Sequence, residues 1–125
     1  MMLKEETLKS LLRDVPDFPK PGILFKDITP LLAEPAARRQ VVNEIANYFR
    51  DKQIDAVAAV EARGFIFGML IAEALNVAFV PVRKAGKLPY HKLREEYDLE
   101  YGRAAIEMHV DALKPGSRVL IHDDL

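Results

Sequence analysis

The chain has 125 residues, no cysteine, 18 basic and 19 acidic side chains, and a formal net charge of −1. Without cysteine, disulfides, thiolate metal sites and cysteine nucleophiles are excluded. The balanced charge argues against nucleic acid or an anionic membrane surface as a partner, and no apolar run approaches the roughly 18 residues of a membrane helix. We therefore expect a soluble cytoplasmic protein with one domain.

The N-terminal third predicts a helix followed by an ordered loop. Apolar residues from Leu8 to Val15 recur at helical spacing, which predicts a short amphipathic helix that Pro16 ends. Residues 16–30 combine four prolines with large apolar side chains. A disordered linker would not carry so many apolar groups, so this segment predicts an ordered loop pressed onto an apolar surface.

The middle of the chain alternates helical and strand patterns. The predicted elements are a helix from Pro35 to about Lys52, a buried strand Ile54–Val60, a helix opened by Gly64 and capped by Asn76, and a buried strand Val77–Val82. This order predicts a parallel sheet with crossover helices. Residues 83–100 show little periodicity and predict a long irregular lid.

Two further strands are predicted after that irregular stretch. Residues 104–111 alternate apolar and polar side chains, which indicates a half-buried strand on which His109 faces solvent. Lys114-Pro115-Gly116 predicts a turn, and residues 118–123 predict another buried strand. The three histidines lack metal-ligand spacing, and no dinucleotide or nucleoside-triphosphate fingerprint is present.

Polar residues follow three of the predicted strands. Glu61–Gly64 places Arg63 and free helix amides at one strand end, which would suit an anion. Arg83–Lys87 puts three cations and the turn-forming Gly86 at the next. Each cluster alone also fits a solvated charged turn.

The last strand ends in two carboxylates. Asp123 and Asp124 could accept hydrogen bonds from sugar hydroxyls or hold a divalent cation, or lie in a solvated loop. Tyr97–Gly102 brings a carboxylate and an aromatic ring that could close over a site or simply anchor the loop. Together the three strand ends would suit a phosphorylated sugar bearing a diphosphate, with a magnesium ion.

Five blocks of the sequence resemble the adenine-specific branch of the type I phosphoribosyltransferase family. They occur in the family's order and spacing: Pro16–Ile28, Glu61–Gly68, Arg83–Pro89, Tyr97–Gly102 and Val119–Leu125. The resemblance implies an α/β fold with a parallel sheet flanked by helices, an N-terminal hood (residues 1–34) and a core (residues 35–125) with a flexible loop at about 83–103. It also implies the reaction of adenine with 5-phosphoribosyl-1-pyrophosphate (PRPP) to give AMP and pyrophosphate, with Mg²⁺ required, and usually a homodimer.

The resemblance also implies a role for individual residues. Leu24 would pack on the adenine, with Phe25 and Lys26 at its edge. Pyrophosphate would be held by Arg63, Arg83 and Lys87, joined by Tyr101. Glu100 would be the proton-handling catalytic group on the closing loop. Asp123 and Asp124 would bind the ribose hydroxyls, with magnesium held mainly through the substrate and no direct protein ligand.

The chain departs from the family pattern at several positions. Lys26 replaces a usual arginine, Ala85 replaces a usual proline or arginine, and His122 replaces a usual apolar residue. The family continues after Leu125 with a loop that cradles the 5′-phosphate, so we expect an incomplete domain and negligible turnover by 125 residues alone. The alternatives are an inactive nucleotide-binding module of the same fold and a phosphoribosyltransferase for another purine, such as hypoxanthine or xanthine.

Overall fold

The computed structural model describes residues 2–99 and 102–124. Its elements, in chain order, are α1 Glu5–Ser10, β1 Arg13–Pro16, β2 Leu24–Asp27, α2 Thr29–Ala33, α3 Pro35–Phe49, β3 Ala56–Val60, α4 Gly64–Leu75, β4 Ala78–Lys84, β5 Lys92–Leu99, β6 Gly102–His109 and β7 Val119–His122. None of the helices in these described ranges has the length and hydrophobicity needed to cross a bilayer.

The chain divides into two compact units, residues 1–44 and residues 45–125, with the division inside α3. The predicted hood and core, divided at residue 34, remain predictions. In the first unit β1 and β2 form an antiparallel hairpin in which Val15 pairs with Phe25. The expected helix through Val15 is therefore wrong after Ser10, because strand pairing takes up Arg13–Pro16.

The second unit contains a five-stranded sheet in the order β5-β6-β4-β3-β7. The strands β4 and β7 flank β3 and run parallel to it, whereas β6 pairs antiparallel with both β4 and β5. The α/β fold is confirmed, but the sheet is mixed rather than purely parallel. The crossover helix α4 joins the parallel strands β3 and β4, as predicted, and ends at Asn76 in the left-handed conformation (φ 56°, ψ 49°).

The core of this unit lies on β3 and α4. Val57, Ala59 and Ile71 are fully buried, because β3 is covered on its edges by two strands and on one face by the helix. Gly68 permits this contact: a Cβ added there would lie 2.6 Å from the Cβ of Ala59. The helix therefore approaches the strand more closely than any larger residue would allow.

The predicted irregular stretch is wrong for Lys92–Leu99, which forms the edge strand β5. Its apolar alternation at Leu93, Tyr97 and Leu99 is interrupted by Glu95, and every residue of the strand is exposed. The strand forms because it pairs along its whole length with β6. Opposite charges across the pair add to this, with Arg103 Nε 3.1 Å from Asp98 Oδ1.

Candidate functional site

Three strand ends meet at one edge of the sheet. Parallel pairing sets Val60 of β3 opposite Val82 of β4, and Ala59 opposite His122 of β7. The segments that follow these strands therefore leave the sheet side by side, where open α/β folds bind their ligands. We call Glu61–Gly64, Arg83–Lys87 and Asp123–Asp124 together the carboxyl edge.

The acid pair at the carboxyl edge contacts Arg63. The Nε of Arg63 lies 3.0 Å from Oδ2 of Asp124, whose side chain is 6 % exposed against 43 % for the arginine. The Asp124 amide donates to Oδ1 of Asp123 at 2.8 Å. Burial raises the pKa of Asp124, a hydrogen bond with Asp123 raises that pKa further, and the Arg63 charge opposes both effects. Cation and acid from separate segments thus meet as one cluster.

The start of α4 lies directly against the acid pair. A Cβ at Gly64 would lie 3.1 Å from Oδ1 of Asp123 and 3.1 Å from the carbonyl oxygen of His122. Glycine therefore sets how closely helix and strand end approach each other. The predicted free amides are absent at two positions, because the amides of Phe65 and Ile66 donate to the carbonyls of Ala62 and Arg63. These two bonds remove two of the predicted amides from an anion site at the start of α4.

A second carboxylate, Glu61, contacts the basic residues at the end of β4. Its Oε1 accepts from Nε of Arg83 at 3.1 Å and from the amide of Lys84 at 3.0 Å. The Lys84 amide, and then the Arg83 side chain, hold the pKa of Glu61 below its ordinary value, against a smaller opposing effect of burial. Arg83 also donates to the carbonyl oxygen of Lys87 at 3.3 Å. The predicted basic turn is therefore ordered by contacts to its own backbone and to Glu61, the residue that follows β3.

The basic turn is held from its other side by Glu107 of β6. Gly86 has φ +83°, and its amide donates to Oε1 of Glu107 at 2.8 Å. Glu107 is 2 % exposed. The alternation of residues 104–111 correctly indicated a strand, but the polar face is the more buried one, because residues 85–91 fold back over it.

His109 belongs to that covered face. Its Nε2 lies 2.9 Å from the carbonyl oxygen of Pro89, so the expectation that it merely faces solvent is wrong. His122, the other unusual histidine, is half-buried, and burial lowers its pKa against the opposing charges of Asp123 and Asp124. Its Nε2 has no hydrogen-bond partner within the described part of the chain.

Known proteins share both the sequence and this architecture. The adenine phosphoribosyltransferase of Nitrosococcus oceani is 55% identical over 120 residues, which cover 96% of this chain and 70% of that protein. The crystal structure of the Rhodothermus marinus adenine phosphoribosyltransferase superposes with a TM-score of 0.86 and 54% identity, covering 93% of this chain and 66% of that one. The Giardia lamblia enzyme complexed with 9-deazaadenine gives a TM-score of 0.92 at 40% identity, over 98% of this chain and 68% of that chain. No family model matches the chain.

The chain belongs to the adenine phosphoribosyltransferase family. It spans about two thirds of the length of these relatives. The shared sequence and superposition confirm the type I phosphoribosyltransferase fold that the five sequence blocks implied.

The adenine residues expected of an adenine phosphoribosyltransferase lie together on β2 of the first unit. Leu24 is 54 % exposed, and the ring of Phe25 meets that of Phe18 edge-to-face with centroids 5.2 Å apart. The Lys26 ammonium is hydrogen-bonded to Asp14 on the paired strand. The predicted ordered loop is thus a hairpin that exposes the apolar side chains of Phe18, Ile23 and Leu24, and the adenine contacts remain predictions.

Some of the expected site residues lie outside the described ranges. Glu100 and Tyr101, the proposed catalytic and pyrophosphate-binding residues of the loop, fall between β5 and β6, and Leu125 also lies outside. Their roles remain predictions. Sequence reasoning assigned no role to Glu61 or Glu107, although both carry the hydrogen bonds of the basic turn. The one available signal was a glutamate in an alternating strand opposite a basic segment.

Proposed function

We propose that the protein transfers the 5-phosphoribosyl group of PRPP to adenine, giving AMP and pyrophosphate, in purine salvage. The bond from the anomeric carbon to the pyrophosphate oxygen breaks, the bond to adenine N9 forms, and the N9 proton leaves. Family membership supports the reaction. The observation on this chain's own residues that supports it is that two ion pairs, Arg63–Asp124 and Arg83–Glu61, occupy adjacent strand ends.

Pyrophosphate is the group that the cations of the carboxyl edge would bind. Negative charge accumulates on pyrophosphate as the glycosidic carbon gains positive character, so fixed cations lower the barrier by electrostatic stabilisation. Arg83 is held by Glu61 and by the Lys87 carbonyl, which fixes its guanidinium before a ligand arrives. Arg63, at 43 % exposure, and Lys87, which is exposed, would supply the remaining charge.

The acid pair would bind the ribose. Asp124 is nearly buried and its pKa is raised by that burial, and two hydroxyl donors from a ribose would favour its charged form. Asp123 is exposed beside it. Adjacent carboxylates suit the vicinal 2′ and 3′ hydroxyls, and this contact would fix the anomeric carbon relative to the cations.

Magnesium fits this donor set as an ion carried by the substrate. The described residues contain no group of three or more acidic or histidine side chains that would hold a metal alone. Magnesium keeps several waters and binds substrate phosphates, so the ion would be held mainly through PRPP, with no direct protein ligand. Asp123 and Asp124 would act on it only through the ribose that they bind. When bound, the ion neutralises charge on the departing pyrophosphate.

Adenine would be bound by Leu24, Phe25 and Lys26, with Glu100 handling the N9 proton and Tyr101 joining the pyrophosphate contacts. Leu24 offers an exposed apolar surface for a purine face. Lys26, already bonded to Asp14, would present a point charge rather than the fork of an arginine. A cytoplasmic homodimer, as in the family, completes the proposal.

The decisive experiment measures binding of Mg²⁺–PRPP together with turnover. We expect saturable binding of PRPP, and adenine binding in its presence that exceeds hypoxanthine binding. Formation of AMP, measured by chromatography, separates the enzyme from a nucleotide-binding module. Failure to bind PRPP, or a preference for hypoxanthine, would contradict the proposed function.

A further inference from the structure

Glu107 is a buried carboxylate to which the proposed chemistry gives no task. It is 2 % exposed and is the one buried charged side chain among the described residues. Burying a carboxylate is unfavourable unless hydrogen bonds compensate for the lost water. An apolar residue at this position would avoid that penalty, so the glutamate points to a role beyond packing.

Residues 85–91 cover the face of β6 that carries Glu107. The amide of Ala85 donates to the carbonyl of Ala105 at 3.1 Å, and His109 contacts the carbonyl oxygen of Pro89 at 2.9 Å. Glu107 lies between these contacts in the strand, opposite Arg83 in the β4–β6 register. The Ala85 bond continues the β4–β6 pairing in the plane of the sheet. On the strand face itself the covering segment is held at two successive positions, Glu107 and His109, and Glu107 is the carboxylate.

The contact of Glu107 is to the bend of the basic turn. The turn closes with a hydrogen bond from the Lys87 amide to the Lys84 carbonyl at 3.2 Å. Glu107 accepts the Gly86 amide at 2.8 Å, and Glu61 accepts the Lys84 amide at 3.0 Å. Two carboxylates thus hold alternate amides of the same turn, and a charged acceptor makes each bond stronger than a neutral one would.

We propose that Glu107 is a positioning residue that fixes the Arg83–Lys87 turn for pyrophosphate, an inference that rests on the proposed function. It touches no substrate. By holding the Gly86 amide, Glu107 sets the direction in which the chain leaves β4. It thereby fixes the position of Lys87, both its side chain and its carbonyl oxygen, which accepts a hydrogen bond from Arg83. Pre-ordering the turn removes its ordering cost from pyrophosphate binding.

The test compares E107Q and E107L, with E95L as the matched control on the exposed strand β5. Glutamine keeps an oxygen for the Gly86 amide, whereas leucine fills similar space without an acceptor. We expect E107L to weaken Mg²⁺–pyrophosphate affinity about tenfold, as for loss of one charged hydrogen bond. E107Q should stay within about threefold of wild type, because a neutral acceptor remains. E95L should leave the affinity for Mg²⁺–pyrophosphate unchanged.

Hydrogen exchange of the Gly86 amide provides a readout that does not depend on ligand. That amide should be protected in wild type and in E107Q and should exchange faster in E107L. Equal affinity loss in E107Q and E107L would overturn the inference, as would unchanged pyrophosphate binding in an E107L protein whose Gly86 amide has lost protection. Absence of pyrophosphate binding by the wild type would instead overturn the proposed function.

A second variant covers the case in which E107L does not fold. G86A places a side chain at φ +83°, where no atom lies within 4 Å of the new Cβ, so it disturbs the turn through backbone conformation alone. It should reproduce the loss of pyrophosphate affinity. Wild-type affinity in a folded G86A protein would contradict the claim that the geometry of this turn controls binding.

Discussion

Replacing Gly68 with alanine tests how the contact between α4 and β3 holds the carboxyl edge together. The new Cβ would lie 2.6 Å from the Cβ of Ala59 and 3.2 Å from Cε1 of Phe79. Carbon atoms pack at about 3.5–4.0 Å, so the overlap with Ala59 is about 1 Å. Relief requires the helix or the central strand to move.

The two opposing terms give the size of the effect. Overpacking a core costs about 1–3 kcal/mol, and the upper part of that range applies because Ala59 is fully buried on a strand paired at both edges. Alanine in place of glycine stabilises a helix interior by about 1 kcal/mol. We expect G68A to lower the free energy of unfolding by about 1–2 kcal/mol.

Urea unfolding followed by circular dichroism measures this change, and the double variant A59G/G68A isolates its cause. Removing the Ala59 methyl removes the overlap, so the two substitutions should be non-additive by at least about 1 kcal/mol. If G68A were as stable as the wild type, or if the two effects simply added, the reasoning from close helix–strand approach would be refuted.

Two further predictions concern the charges of the carboxyl edge. The Glu61 pKa is lowered below 4.5, so its stabilising contribution is complete above that value and is lost as pH falls through the lower folded-state pKa. Carboxyl-carbon NMR should give a Glu61 midpoint below 4.5 that moves up in R83Q, and a wild-type midpoint at or above 4.5 would contradict the assignment. D124N should cost less than about 1 kcal/mol in a melting experiment, because burial raises the pKa of Asp124 and folding therefore disfavours the charge that the substitution removes. It should nevertheless reduce PRPP affinity about tenfold through lost charged hydrogen bonds. A large stability loss with unchanged affinity would show that the Arg63–Asp124 pair is structural.

Local patterns predicted the elements that depend on local physics. The strand β3, the helix opened by Gly64 and the cap at Asn76 were all predicted. A strand buried on both faces has a continuous apolar run, and a left-handed cap favours asparagine, so both can be recognised from the local sequence. The convergence of Arg63 with Asp124 also followed, since parallel strand order implies a common edge.

Elements that depend on distant pairing were missed or misread. Residues 13–15 were predicted as helix because Leu8 to Val15 keep helical spacing. Their partner strand, Leu24–Asp27, follows seven intervening residues, and this distant pairing leaves no local pattern in the sequence. Strand β5 pairs with β6 while exposing all its side chains, so it carries no clear apolar period. The polar face of β6 is buried because residues 85–91 cover it, which only the tertiary structure reveals.

Titration calorimetry of Mg²⁺–pyrophosphate tests the central claim that cations from separate strand ends form one anion site. We predict saturable binding by the wild type and a loss of about tenfold or more in R83A, the value of a charged hydrogen bond. The exposed Arg39 of α3, outside the carboxyl edge, supplies the control R39A, which should bind as the wild type does. Absence of wild-type binding, or equal losses in R83A and R39A, would contradict the account.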